Sequence, residues 1–221
     1  MVDAFSVIAL VAVSAQLSIL VALHVLPTKY DPVHDAISDY GVGDHRRYFW
    51  AQLGAGASAC IAVAVALTGL HPYVPTLVVV LLLANAAARL LMPAFPTDQS
   101  GNRFETVRGT IHMVLAIVAF AAVAAAATGL SGLFSHYPAW HSAKSLLGPI
   151  GWVVLAGAVA CALGLVGPRL KPIFGLIERF FTLSVIVWIS IMSIELIRFS
   201  TGRPTRTRRA GMLVMVRSRP S

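Results

Sequence analysis

GTIHMVLAIVAFAAVAAAATGL, residues Gly109–Leu130, carries no Asp, Glu, Lys or Arg. At a helical rise of 1.5 Å per residue, a run of this length crosses a hydrocarbon core of about 30 Å. The run is continuous rather than alternating, and it is about twice as long as a strand of a membrane barrel. It therefore reads as a helix. Its alanine-rich part, Ala121–Ala127, suits close packing, because small side chains let neighbouring helices approach.

The same pattern recurs five times along the chain: Phe5–Leu26 ending at Pro27, Phe49–Leu70, Tyr73–Phe95 closed by Pro96, Leu146–Val166 and Phe174–Phe199. Composition agrees with a membrane solvent. Of the 221 residues 57% are hydrophobic and 12% charged, where a soluble domain carries about 25% charged residues. The expected fold is an all-α polytopic integral membrane bundle of six transmembrane helices over residues 1–199. A basic, flexible tail over 200–221 follows it. The first span is expected to be retained, since Met1–Ala4 holds no Lys or Arg of the kind that begins a cleaved signal. Cys60 and Cys161 fall within spans, in no metal or redox spacing.

The net charge of +8 sets the expected orientation. Lys144 and Arg198, Arg203, Arg206, Arg208, Arg209, Arg217 and Arg219 share one side of a six-span chain. Lys29, Arg46, Arg47, Arg103, Arg108, Arg169, Lys171 and Arg179 share the other. The counts are equal, so density decides. No acid accompanies the tail beyond Arg198, which places both termini in the cytoplasm of a cell (inner) membrane protein. The tail is expected to contact anionic lipid headgroups. Nucleic acid is not an expected partner, because no domain presents the charge.

Polar chemistry gathers in the odd-numbered connections, on the side opposite the termini, the outer face. Every acid except Asp3 and Glu195 lies in them. They supply His34, Asp35, Ser38, Asp39, Asp98, Glu178 and Arg179. His24, Gln52 and His112 sit about one turn inside the adjoining spans. Arg89 lies deeper in the third span with Asn85 on the same face, since i and i+4 align. A buried arginine in lipid costs at least about 2.5 kcal/mol unless it reaches the interface or a partner, and Asp98 and Glu178 are the expected acids. Glu195 is expected to pair with Arg198 at i+3.

Four segments carry a resemblance: Tyr30–Gly41 (YDPVHDAISDYG) after the first span, Phe95–Asp98 (FPTD) after the third, Gly109–His112 (GTIH) opening the fourth, and Gly175–Arg179 (GLIER) before the last. In this order they resemble the bacterial and archaeal membrane family called domain of unknown function 998. The likeness runs up to about Phe199. It implies six membrane helices and no established activity.

Three functions are compatible with these residues. The first is a membrane-embedded hydrolase acting on a lipid or amphiphile. Asp98, His112, Ser38 and Asp35 are its candidate catalytic groups. His112, Asp98 and His34 would be the ligands if it holds zinc. Arg89, Arg179, Glu178, His34 and Asp39 would bind the substrate. This arrangement is also similar to the alkaline ceramidase and progestin-receptor-like superfamily, whose seven-helix members bind zinc near one face. The present chain departs from it in having six blocks and no His-x-x-x-His pair in the last. The second function is binding or transport of an anion, lipid or solute without chemistry. The third is structural: an accessory subunit or oligomer whose Ser38, Asp39 and Asp98 cap turns and helices.

Overall fold

Apolar runs become helices here, and they stop where the breakers stand. The computed structural model describes residues 2–70, 74–98, 103–134 and 141–201; among them there is no strand. The helices are α1 (Val2–Val25), α2 (Arg46–Thr68), α3 (Thr76–Leu91), α4 (Val107–Phe134), α5 (His141–Val166) and α6 (Phe174–Thr201). Each of the six apolar segments is long and apolar enough to cross a membrane. α1 ends before Pro27, α3 starts after Pro75, and α5 gives way at Gly167 and Pro168, as expected of residues that lack an N–H or favour turns. α3 continues as a 3-10 turn, Met92–Ala94, around Pro93, and a second such turn, Lys171–Ile173, leads into α6.

The main difference from the sequence expectation lies in the fourth connection. It was expected to span Ser131–Ser145, but α4 runs on to Phe134 and α5 begins at His141. Helix hydrogen bonding does not stop where hydrophobicity does, and Ser131–Phe134 contains no proline to break it. His71, Tyr73, His136, Tyr137 and Trp140, the side chain of Lys144 and the basic segment 202–221 lie outside the described residues.

The helices form a ring in chain order, and α1 closes it against α6. α2 and α6 also touch, which pinches the ring. α1 packs against that pair on one side, while α3, α4 and α5 complete the other lobe. Outward-facing Val11, Leu77, Val80, Trp152 and Leu163 are exposed, as lipid-facing side chains must be. Inside, hydroxyls turn back on their own helices: Ser6 donates to Val2 O at 2.7 Å and Ser193 to Ile189 O at 2.8 Å. Between helices, Asn85 Nδ2 donates to Ala119 O of α4 at 2.7 Å, and Cys60 Sγ of α2 lies 3.3 Å from Asn85 Oδ1. With little water in the hydrocarbon core, such bonds satisfy groups that would otherwise stand alone.

The first and third connections and the start of α6 meet at one end of this ring, because Arg103 bonds Asp39 and Glu178 and Arg179 bond the first connection. Single cysteines at His34, Phe104 and Arg169, in a background carrying Cys60→Ala and Cys161→Ala, are expected to react with an impermeant maleimide from the same side of sealed vesicles. Labelling of any two from opposite sides contradicts the fold.

Candidate functional site

The first connection is a short chain segment held down by carboxylates and by α6. Asp31 Oδ1 accepts the Val33 N–H at 2.7 Å, and Asp35 Oδ2 accepts the Asp31 N–H at 2.7 Å. The first is an Asx turn, the second closes the loop from four residues on, and the Val33 bond holds the Asp31 carboxyl below its usual value. His34 Nδ1 lies 3.0 Å from Asp31 on the exposed side of the loop. Asp39 Oδ2 accepts the Ala36 N–H at 2.7 Å and so caps the 3-10 turn Ile37–Gly41. The Arg103 guanidinium then grips Asp39 with both nitrogens, each at 3.0 Å. Burial works against the Arg103 charge, but Asp39 outweighs it, and the guanidinium stays above the ordinary arginine range.

α6 supplies the other anchors. Glu178 Oε2 accepts the Ile37 N–H at 2.7 Å, and the Leu176 N–H, in the first turn of α6, donates to Val33 O at 3.1 Å. Arg179 donates from Nη1 to Asp35 O at 2.7 Å and from Nε to His24 Nε2 at 2.6 Å. An arginine can only donate, so Nε2 of His24 is the lone-pair nitrogen and Nδ1 carries the proton toward Leu20 O at 2.6 Å. Gly175 permits the approach: a Cβ there would lie 2.8 Å from Pro32 O and would collide with Asp35 O.

Asp98 serves the start of α4. Its carboxylate accepts the Thr106 N–H at 2.9 Å and the Thr106 hydroxyl at 2.7 Å. These bonds lower its pKa, and the charge faces the positive end of a helix. Gly109 leaves room for it, since any Cβ there would strike the carboxylate. One turn on, His112 is 2% exposed and its Nδ1 lies 2.8 Å from Phe95 O. A carbonyl only accepts, so Nδ1 carries the proton and Nε2 the lone pair.

Beneath this roof lies a cavity of about 430 Å³ between α2, α3, α4, α5 and α6. Ile37, Ser38, Arg103, His112 and Glu178 line its upper end, and Gln52 and Arg89 line its side. Ala124, Ala125, Thr128, Leu155 and Ala158 line its lower reach. Of the residues expected to act, Ser38, His112, Glu178 and Arg89 are brought to this cavity. Asp98, Asp35, Asp39, His34 and Arg179 are not among its lining residues; their polar atoms hold the roof and the helix ends instead. Among the described residues no three His, Cys, Asp or Glu side chains group so as to hold a metal ion, so His112, Asp98 and His34 do not form a zinc set.

Arg89 departs most from expectation. Neither Asp98 nor Glu178 pairs with it; their carboxylates accept from Thr106 and Ile37 instead. Among the described residues it has no carboxylate partner and no hydrogen bond. It is 5% exposed. α3 runs toward the roof and side chains lean toward a helix's N-terminus, so the guanidinium points deeper into the bilayer rather than up to the interface. It lies against Gly56, where a Cβ would collide with Nη1 and would meet Gln16 Oε1 at 2.9 Å. Gln16 is fully buried, and neither its oxygen nor its nitrogen has a partner. Glu195, by contrast, pairs with Arg198 at 2.7 Å as its spacing implies.

Six spans, a loop docked across one end and a cavity among the helices define a polytopic helical membrane protein. The chain belongs to the family described as "Protein of unknown function (DUF998)", whose match covers residues 10–195. No curated protein and no solved structure matches it.

Asp39→Ala removes one half of a largely buried pair and leaves Arg103 and the Ala36 N–H without it. A loss of about 3 kcal/mol is expected, read as a lower Tm in detergent, with partial recovery in Asp39→Arg/Arg103→Asp. Asp98 has its pKa depressed, so its contribution is present above about pH 4 and is lost as pH falls through the folded value. Tm should fall between pH 5 and pH 3 in the unmodified chain. Asp98→Asn should start lower and fall less; an equal fall would remove this role for Asp98.

Proposed function

We propose that this protein binds an amphiphile taken from the surrounding membrane, with the polar head among the cavity's polar side chains and the tail along α4 and α5. The observation that carries this reading is the cavity itself: apolar over most of its wall, with a few convergent polar groups at one end. Small-molecule sites have this make-up, at about 300–1,000 Å³. The tail-end lining is alanine, leucine and threonine, which offers a hydrocarbon chain dispersion contacts without polar competition. We further place the roof on the outer side and the basic tail in the cytoplasm, against anionic headgroups, by the density of that tail's positive charge.

Hydrolysis of the bound amphiphile is the second reading. Ser38 and His112 line the same cavity, and the proton on Nδ1 leaves Nε2 of His112 a lone pair suited to a general base. Binding is preferred because Asp35, Asp39 and Asp98 each accept backbone N–H groups, and so do not orient that histidine.

Ala158→Trp and Ala124→Leu, which fill the lower cavity, should reduce amphiphile retained through purification at least severalfold, by native mass spectrometry or lipid extraction. Equal retention in the blocked variants sinks the binding reading. Turnover of a bound ester that vanishes in both Ser38→Ala and His112→Ala would put the hydrolase first.

A further inference from the structure

We infer that the amphiphile carries an oxyanion head, a carboxylate or a phosphate, and that Arg89 rather than Arg103 seats that head. The inference rests on the binding reading above and adds the charge of the head.

The two cavity-lining arginines are not equivalent. Arg103 already has both nitrogens on Asp39 at 3.0 Å, so a second anion would compete with a bidentate partner. Arg89 lines the same cavity at 5% exposure with neither a carboxylate nor a hydrogen bond among the described residues. A charge held this deep is costly unless paired. Gly56, its contact on α2, stands about 15 Å from the start of that helix by helical rise, too deep for the bulk headgroup layer to neutralise it. A ligand oxyanion in the cavity supplies the missing charge, and the planar guanidinium suits two-oxygen recognition.

Amide donors stand beside it. Gln52, 3% exposed, lines the cavity one turn before Gly56, and the Gln16 carboxamide is buried at Gly56 with nitrogen and oxygen both unpartnered. Glu178, at the upper end, accepts the Ile37 N–H and opposes an anion lodged there, which favours the lower seat at Arg89.

The test compares heads on one chain in the purified full-length protein, reconstituted in phosphatidylcholine nanodiscs: palmitate and hexadecyl phosphate against hexadecanol, with acetate as the free anion. At least one anionic probe should bind tenfold or more tighter than hexadecanol. Millimolar acetate should not displace it. Arg89→Gln should bring it to the hexadecanol level, while Arg89→Lys keeps part of the preference. Hexadecanol binding as tightly as both anions in the unmodified chain overturns the oxyanion seat and leaves the cavity reading intact; this arm needs no variant to fold. Displacement by acetate shows a small-anion site and overturns the assignment of the ligand as an amphiphile. Failure of all three long-chain probes to bind overturns the binding reading itself.

Discussion

Backbone that leaves a helix at a membrane surface brings N–H and C=O groups that hydrocarbon cannot satisfy, and everything in this molecule's functional end follows from how the first connection meets that demand. Tyr30–Gly41 neither forms a long helix nor stands off in water. It folds onto the bundle, and its backbone groups are answered by Asp31, Asp35, Asp39, Glu178 and Arg179. The first two are local turns, whereas Glu178 and Arg179 reach from the other end of the sequence. Arg103, from the third connection, then locks the Asp39 carboxylate. The first and third connections and the start of α6 become one roof, and beneath it Ile37 and Ser38 line the top of the cavity.

Among the described residues, the buried and half-buried charges divide accordingly into those the fold uses and one that it does not. Asp98 steadies the α4 terminus, Glu195 is matched by Arg198, and Arg179 bridges His24 and the first connection. Each has a protein partner that accounts for its position. Arg89 has none among the described residues, although it sits where an unmatched cation is costliest. A structural arginine would have been expected at the end of a helix, with its head at the interface. This one lies beside a glycine and an unpartnered glutamine, facing a cavity.

Much of the architecture was legible in the sequence, because span length and continuity are set by bilayer thickness and survive any detail of packing. Helix ends were read to within a few residues wherever Pro27, Pro75 or Pro168 stood near them, and less well after Ser131, where nothing broke the helix. The site was legible only as an inventory. Ser38, His112, Glu178 and Arg89 do face one cavity, but sequence position cannot say which carboxylate a given guanidinium meets. Arg103, an unremarked loop cation, takes Asp39, while the acids expected for Arg89 are taken by backbone N–H groups. Gln16 was passed over, although a glutamine within an apolar span is a signal of its own, since its amide has to find a partner or remain without one. Gly56 and Gly175 owe their roles to tertiary neighbours and carry no local mark.

The seam where α1 packs against α6 has a bearing on connectivity. Six antiparallel spans return the last helix to the end at which the first began, and the two are already neighbours. The covalent order of the helices is thus cyclic in space though linear in sequence. Joining Val2 to Thr201 by a short linker and cutting the chain at an even-numbered connection preserves every helix–helix neighbour and leaves the roof unbroken. In their packing the described helices do not mark which of them comes first.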